Sequence, residues 1–196
     1  MSKENERYVY LGIGGNLGDR VSILSNSLTA IQERIGTIEH RSSLYETPPW
    51  GYTQQPEFLN AAVALKTNLP ALEILGIAKE LEDAAGRATN HPRWHERPLD
   101  IDILIVEGEV INSEELTVPH IYMATRTFVL VPLAEIAPGI IHPTIGLRIE
   151  TLRDLCPPSD RSNVKNILLP TGDRYLAFVA VRFIGNRVRH RATSPK

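Results

Sequence analysis

An α+β fold follows from three features of the sequence. Apolar segments with strand character are separated by two segments whose apolar residues recur every three or four positions. The order of these segments is not the strict strand–helix alternation of a doubly wound sheet. Two long proline-containing stretches, residues 47–57 and 87–98, interrupt the pattern and read as loops.

The elements follow in order. Residues 8–13 (YVYLGI) read as a buried strand, and GGNLGD is the glycine-rich turn after it. Asp19 is placed to cap a helix carrying Val21, Leu24, Leu28, Ile31 and Ile35, and Gly36 stands where a helix end accepts positive φ. Residues 37–46 predict a second strand and 58–67 (FLNAAVALKT) a third. A second helix is expected from about Pro70 to Ala85, with Asn68 as cap, Leu72, Leu75, Ala78 and Leu81 as apolar positions, and Gly86 as its close. A strand at 99–107 (LDIDILIVE), a turn at Glu107-Gly108-Glu109 and a short strand at Val110 and Ile111 complete the series. The resulting β-α-β-β-α-β order predicts a ferredoxin-like core, with added C-terminal helices and a C-terminal extension. Residues 1–158 are expected to form one domain. Residues 159–196 read as an extension, with an extra strand or arm at 175–184 and a basic end.

Composition narrows the function classes. The chain has 196 residues, 42% hydrophobic and 22% charged, as in an ordinary globular protein. Twenty-one Lys+Arg against 23 Asp+Glu give a net charge of −2, so no global field calls for nucleic acid or membrane. One cysteine, Cys156, cannot form an internal disulfide, which fits a reducing compartment. The N-terminal MSKENER does not read as a signal peptide. The most apolar stretch, 128–141, is broken by Pro132, Glu135 and Pro138. The expectation is a cytoplasmic protein without a membrane partner, taken as a monomer.

The most informative motif is Asp100-Ile101-Asp102 at the start of an apolar strand. Strand alternation puts both carboxylates on one face and Ile101, Ile103 and Ile105 on the other. Two close carboxylates repel, and a divalent cation removes that cost; oxygen-only ligands suit Mg²⁺ better than zinc. The alternative is a polar strand end with two solvated aspartates. Arg87, Arg93 and Arg97, with His91, Trp94 and His95 among them, precede the pair. Arginine forks match phosphate oxygens, so the combination has the composition of a phosphoryl-transfer site. A charged loop making surface ion pairs is the bland counterpart. The turn Gly12–Gly18 has the wrong spacing for a dinucleotide fingerprint, and no GxxxxGK[ST] is present. His95-Glu96 fails as a zincin motif because Leu99 replaces the second histidine. The loop TPPWG with Phe58 and Asn60 could serve a planar ligand or simply pack.

Taken together, YLGIGGNLGDR (10–20), SSLYETPPWG (42–51), QPEFLNAAVAL (55–65), LEDAAGR (81–87), RWHERPLDIDIL (93–104), LTVPH (116–120) and FVLVPLAEIAP (128–138) resemble the 6-hydroxymethyl-7,8-dihydropterin pyrophosphokinase family of folate biosynthesis. The resemblance covers about residues 8–147. It implies diphosphate transfer from ATP to the pterin's hydroxymethyl group with release of AMP, and two Mg²⁺ ions on Asp100 and Asp102. It implies catalytic roles for Arg87, Trp94 and Arg97 beside that pair, and pterin contacts from Thr47, Pro48, Trp50, Phe58, Asn60 and Phe128. Lys79, Glu82, Arg87, Ile103, His120 and Arg126 are the implied ATP contacts. The chain departs from the family's commonest pattern at His95-Glu96 (often Gly-Pro), Thr89 (often Arg), Ile121 (often Tyr) and Lys79 (often Gln). Two other readings stand beside this one: a homologue that binds but no longer turns over, and a ferredoxin-like RNA-binding module. The strand FLNAAVAL lacks the basic-aromatic pattern that the RNA-binding module uses.

Overall fold

The computed structural model describes residues 6–86 and 96–167. Arg87, Thr89, His91, Arg93, Trp94 and His95, and the strand expected at 175–184, lie outside the described residues.

The molecule is a mixed α/β structure built on an antiparallel sheet. Strand β1 (Arg7–Gly15) leads through the glycine-rich turn into helix α1 (Arg20–Arg34). As expected, Asp19 caps α1, accepting the Ser22 N–H at 3.1 Å. The single strand predicted at 37–46 is two: β2 (Thr37–Arg41) and β3 (Leu44–Thr47), both antiparallel to β4 (Phe58–Thr67). The break falls at Ser42, whose hydroxyl accepts the Ala62 N–H at 2.9 Å. Helix α2 (Ala71–Ala84) then leads to β5 (Asp100–Val106).

Strand order is β5-β1-β4-β3-β8, where β8 is Lys165–Ile167, with β2 also on β4. Helices α1 and α2 fill one face through Leu24, Leu28, Ile31, Ile74 and Ala78, against Val9, Leu11, Val63, Leu65, Ile101 and Ile103. After a small hairpin, β6 (Ile111–Asn112) and β7 (Thr117–Val118), helix α3 (Thr127–Ile136) covers part of the other face. The apolar run around Pro132 is thus a helix seated on Tyr10, Ala62, Ala64 and Leu104. Helices α4 (Ile149–Leu155) and α5 (Pro158–Ser162) follow, and β8 (Lys165–Ile167) pairs with β3. Among the described residues no helix is long and apolar enough to cross a membrane.

Three local expectations are corrected. Gly36 does not adopt positive φ after α1; it is a glycine because a Cβ there would lie 2.2 Å from the Lys66 carbonyl oxygen. Gly86, after α2, does take the left-handed conformation at φ +95°. Pro70, not Asn68, stands at the N-cap of α2, and no side chain caps that helix. The buried stripe of α2 is Ala71, Ile74, Ala78 and Glu82, while Leu72 is exposed. The helix is rotated by about one residue from the phase that its leucines suggest, which carries the Glu82 carboxylate into the interior.

Candidate active site

Strand alternation builds the site. On β1, residues Tyr10, Gly12 and Gly14 lie on the α3 side; on β4, so do Phe58, Asn60, Ala62 and Ala64; on β5, Asp100, Asp102 and Leu104. Ile105, expected beside Ile101 and Ile103, joins this side instead, because the β1–β5 register shifts by a residue and pairs it with Tyr10. Helix α3 covers the Tyr10, Ala62, Ala64 and Leu104 part of this face. Across the remainder, register aligns Asp100 with Gly14 and Gly14 with Asn60, and Asp102 with Gly12 and Gly12 with Ala62. The carboxylate pair and the asparagine therefore flank a stretch of β1, from Gly12 to Gly14, that carries no side chain on this face. A Cβ on Gly14 would stand 2.3 Å from Asn60 Oδ1, so glycine is needed for the amide to lie where it does.

The carboxylates are held from several sides. Arg97 donates to Asp100 at 2.9 Å. Asp102 has His120 Nε2 at 3.8 Å and the Arg126 guanidinium at 3.9 Å. Burial, then the Asp100 charge, push the Asp102 carboxyl up to about 7 against the pull of Arg126. Burial, reinforced by Arg126, pulls His120 down to about 4, so its ring is neutral near pH 7. Glu82, buried on α2, accepts the Ile101 N–H at 2.7 Å, and the His120 N–H donates to the Leu104 carbonyl at 2.9 Å. The edge of β5 that faces away from β1 is fixed by these two bonds. Ile103 buries its side chain on the α1–α2 side, so only its backbone is available to a ligand on the Asp100–Asp102 side. Lys79 is exposed on α2, one turn before Glu82.

The loop between β3 and β4 supplies the opposite wall. Thr47 is buried, and its hydroxyl accepts the Asn60 amide N–H at 2.7 Å. Phe58 pairs in register with Thr47, and exposed Pro48 follows β3. The Trp50 ring lies over the Arg126 guanidinium at 4.7 Å, and Phe128, at the start of α3, is 5.6 Å from it. Such ring–cation contacts stabilise by roughly 0.5–2 kcal/mol each, more as water is excluded.

Two residues that the sequence reading left unassigned organise these walls. Asn16, buried in the β1–α1 turn, accepts the Arg97 N–H at 2.8 Å through Oδ1 and donates to Pro56 O at 3.0 Å and Gln55 Oε1 at 3.1 Å. Arg20 donates to the Glu57 carbonyl and pairs with Glu46, both at 2.8 Å. The sequence signal for both is their place in YLGIGGNLGDR (10–20), a segment that carries the family resemblance without assigning either a role.

The donor set fits a hard divalent cation. Both acids offer oxygen, and the raised Asp102 carboxyl records a field that a cation reverses. Among the described residues no three His, Cys, Asp or Glu side chains converge.

An α+β scaffold that presents a carboxylate pair, flanking arginines and an aromatic wall on one open sheet end has the chemistry to take a phosphate-bearing ligand beside a flat one, as a candidate site. The family model of 7,8-dihydro-6-hydroxymethylpterin-pyrophosphokinase (HPPK) matches residues 10–138, and the chain belongs to that family. It is 41% identical over 159 residues to the 2-amino-4-hydroxy-6-hydroxymethyldihydropteridine pyrophosphokinase of Methylorubrum extorquens, covering 81% of this chain and 97% of that protein. The enzyme of the same name from Porphyromonas gingivalis is 44% identical over 138 residues, covering 69% of this chain and 93% of that protein. Wild-type Plasmodium falciparum HPPK-DHPS, crystallised with pteroate, shares the fold at a TM-score of 0.63 and 19% identity. The match covers 79% of this chain and 43% of that longer one.

Proposed function

We infer that the protein is an ATP-dependent pyrophosphokinase of folate biosynthesis. It transfers diphosphate from ATP to the hydroxymethyl group of 6-hydroxymethyl-7,8-dihydropterin and releases AMP. Family membership supports the reaction. The observation that carries the residue assignment is the row Asp100, Gly14, Asn60 across three adjacent strands. It offers metal-type carboxylates on one side, a pterin-reading amide on the other, and a bare floor between.

On this reading the substrate oxygen attacks the β-phosphorus, a new O–P bond forms, the α–β bridge breaks and AMP leaves with its electrons while the hydroxyl proton is lost. Asp100 and Asp102 would hold magnesium, two ions as the sequence resemblance implies, which neutralises the polyphosphate. Arg97, and Arg87 outside the described residues, would balance charge on the transferring group, with Trp94 closing over it. Arg126 and His120 border the polyphosphate, while Lys79, Glu82 and the Ile103 backbone line the nucleotide side. Thr47, Pro48, Trp50, Phe58, Asn60 and Phe128 receive the pterin, with the Asn60 amide matching its edge and rings its faces. Positioning and charge carry most of the barrier reduction in such a transfer.

The core is proposed to be ferredoxin-like, supported by the order β5-β1-β4 with β2 and β3 beyond it. Residues 1–158 form the catalytic domain in this proposal and 159–196 an extension of it, in a cytoplasmic monomer. AMP release from Mg-ATP, measured with and without 6-hydroxymethyl-7,8-dihydropterin, tests the reading. One AMP per diphosphorylated pterin supports it. Pterin binding without AMP supports the impaired homologue, and neither activity nor binding overturns the assignment.

A further inference from the structure

Among the described residues, Arg126 is one of the least exposed charged side chains, yet its nearest carboxylate oxygen there is 3.9 Å away and its Nε finds no hydrogen-bond partner. What surrounds the guanidinium is aromatic: Trp50 at 4.7 Å, Tyr122 at 5.0 Å and Phe128 at 5.6 Å. Trp50 and Phe128 already belong to the proposed pterin wall. Tyr122 does not.

Tyr122 has further ties to the site. Its ring lies 6.2 Å from Trp50 and 6.1 Å from the His120 ring. Its backbone N–H donates to His120 Nδ1 at 3.2 Å, which makes Nδ1 the acceptor and leaves Nε2, the nitrogen facing Asp102, to carry the ring proton. One residue thus contacts Trp50 on the β3–β4 loop, His120 and Arg126, the two latter being the groups nearest Asp102. The neighbouring Ile121 is more exposed.

We propose that Tyr122 is a positioning residue for the pyrophosphokinase reaction: its ring closes a three-sided aromatic enclosure that aims the Arg126 guanidinium at the polyphosphate beside the aspartate pair. The proposal rests on the function inferred above. The ring is what matters. The device as proposed uses the ring alone, so phenylalanine preserves it and alanine removes it.

The test has a ligand-free arm and a ligand arm. In the ligand-free protein, ring currents displace the Arg126 Nε–H resonance; Tyr122→Ala moves that resonance and Tyr122→Phe leaves it nearly in place. In the ligand arm, calorimetric titration with magnesium and α,β-methylene-ATP shows Tyr122→Ala binding roughly 5- to 20-fold more weakly, the range one ring–cation contact supports. Tyr122→Phe restores the affinity, and in an Arg126→Met background Tyr122→Ala costs nothing further. An unmoved resonance overturns the enclosure whatever the enzyme's activity. A loss of affinity that persists in the Arg126→Met background overturns the positioning role, because Tyr122 then acts without Arg126. Failure of the wild-type protein to form AMP sinks the parent function instead, and the resonance still decides the enclosure.

Discussion

Asn16 and Arg97 bind each other twice. The Asn16 N–H donates to the Arg97 carbonyl at 2.9 Å, and the Arg97 N–H donates to Asn16 Oδ1 at 2.8 Å. The same asparagine amide reaches Pro56 and Gln55, so a single buried side chain in the β1–α1 turn joins the chain leading into Asp100 to the loop holding Trp50. Its position, rather than any chemistry of its own, makes it matter.

Asn16→Ala leaves the Arg97 N–H and the Pro56 carbonyl without these partners. Stranded polar groups cost about 1–3 kcal/mol each where water is excluded, so a stability loss of about 2 kcal/mol is expected in urea unfolding. Turnover is expected to fall further than stability explains, by up to about 100-fold, because both walls lose their common reference. A variant that loses stability but keeps wild-type turnover when fully folded would contradict this.

Gly14→Ala tests the bare floor. The added methyl collides with Asn60 Oδ1 and displaces the amide that donates to Thr47. The loss of about one hydrogen bond's discrimination, near tenfold, is expected in the KM for pterin, with little change for ATP. Steady-state kinetics with each substrate varied separately decide it. Equal losses for both substrates would mean that the substitution damages the sheet and not the pterin edge.

Asp102→Asn is expected to abolish turnover and yet to raise stability slightly in metal-free buffer. The reason is the pressure on Asp102 to be neutral, which comes from burial and from the Asp100 charge. Asp100→Ala is also expected to be inactive and folded. Thermal melts with EDTA and with excess magnesium separate the effects: the wild-type protein gains stability with magnesium and the variants do not. An equal gain in all three proteins would remove Asp100 and Asp102 as metal ligands.

His142 gives a pH dependence away from the site. It is buried, its Nδ1 lies 3.3 Å from the Thr144 hydroxyl, and burial lowers its pKa from the usual 6.5. Above 6.5 both folded and unfolded forms hold it neutral. Below that, the unfolded chain takes the proton first, so stability falls as pH drops from 6.5 toward the lower folded value, by at most about 1.4 kcal/mol per pH unit from this one group. Urea unfolding between pH 7.5 and 5, compared with His142→Gln, reads the contribution as the difference in slope. Parallel curves would rule it out.

Much of the site was legible because its logic is local. Asp-Ile-Asp on a strand puts two carboxylates on one face in any sheet, and the glycine-rich turn, the proline-rich loop and the arginine-bearing approach to β5 each announce themselves within a dozen residues. Asp19 as a cap and Gly86 as a helix close were readable for the same reason. Helix phase was less secure. On α2 the leucines pointed one way, and contact with the sheet chose Ala71, Ile74, Ala78 and Glu82. Propensity is a matter of a few tenths of a kcal/mol per residue, which packing against a whole sheet overrides.

The sequence by itself determined the α+β pattern, the shared face of Asp100 and Asp102, and the family to which those residues belong. Only the tertiary structure decided what stands beside them. It set Gly14 between Asp100 and Asn60, gave Asn16 two loops to hold, turned Glu82 onto the Ile101 amide, and gathered three rings around Arg126. The reason is the range of the forces involved. Alternation and capping are fixed by backbone geometry over a few residues, whereas register between strands and the seating of a helix are set by burial and hydrogen bonding between segments far apart in the chain.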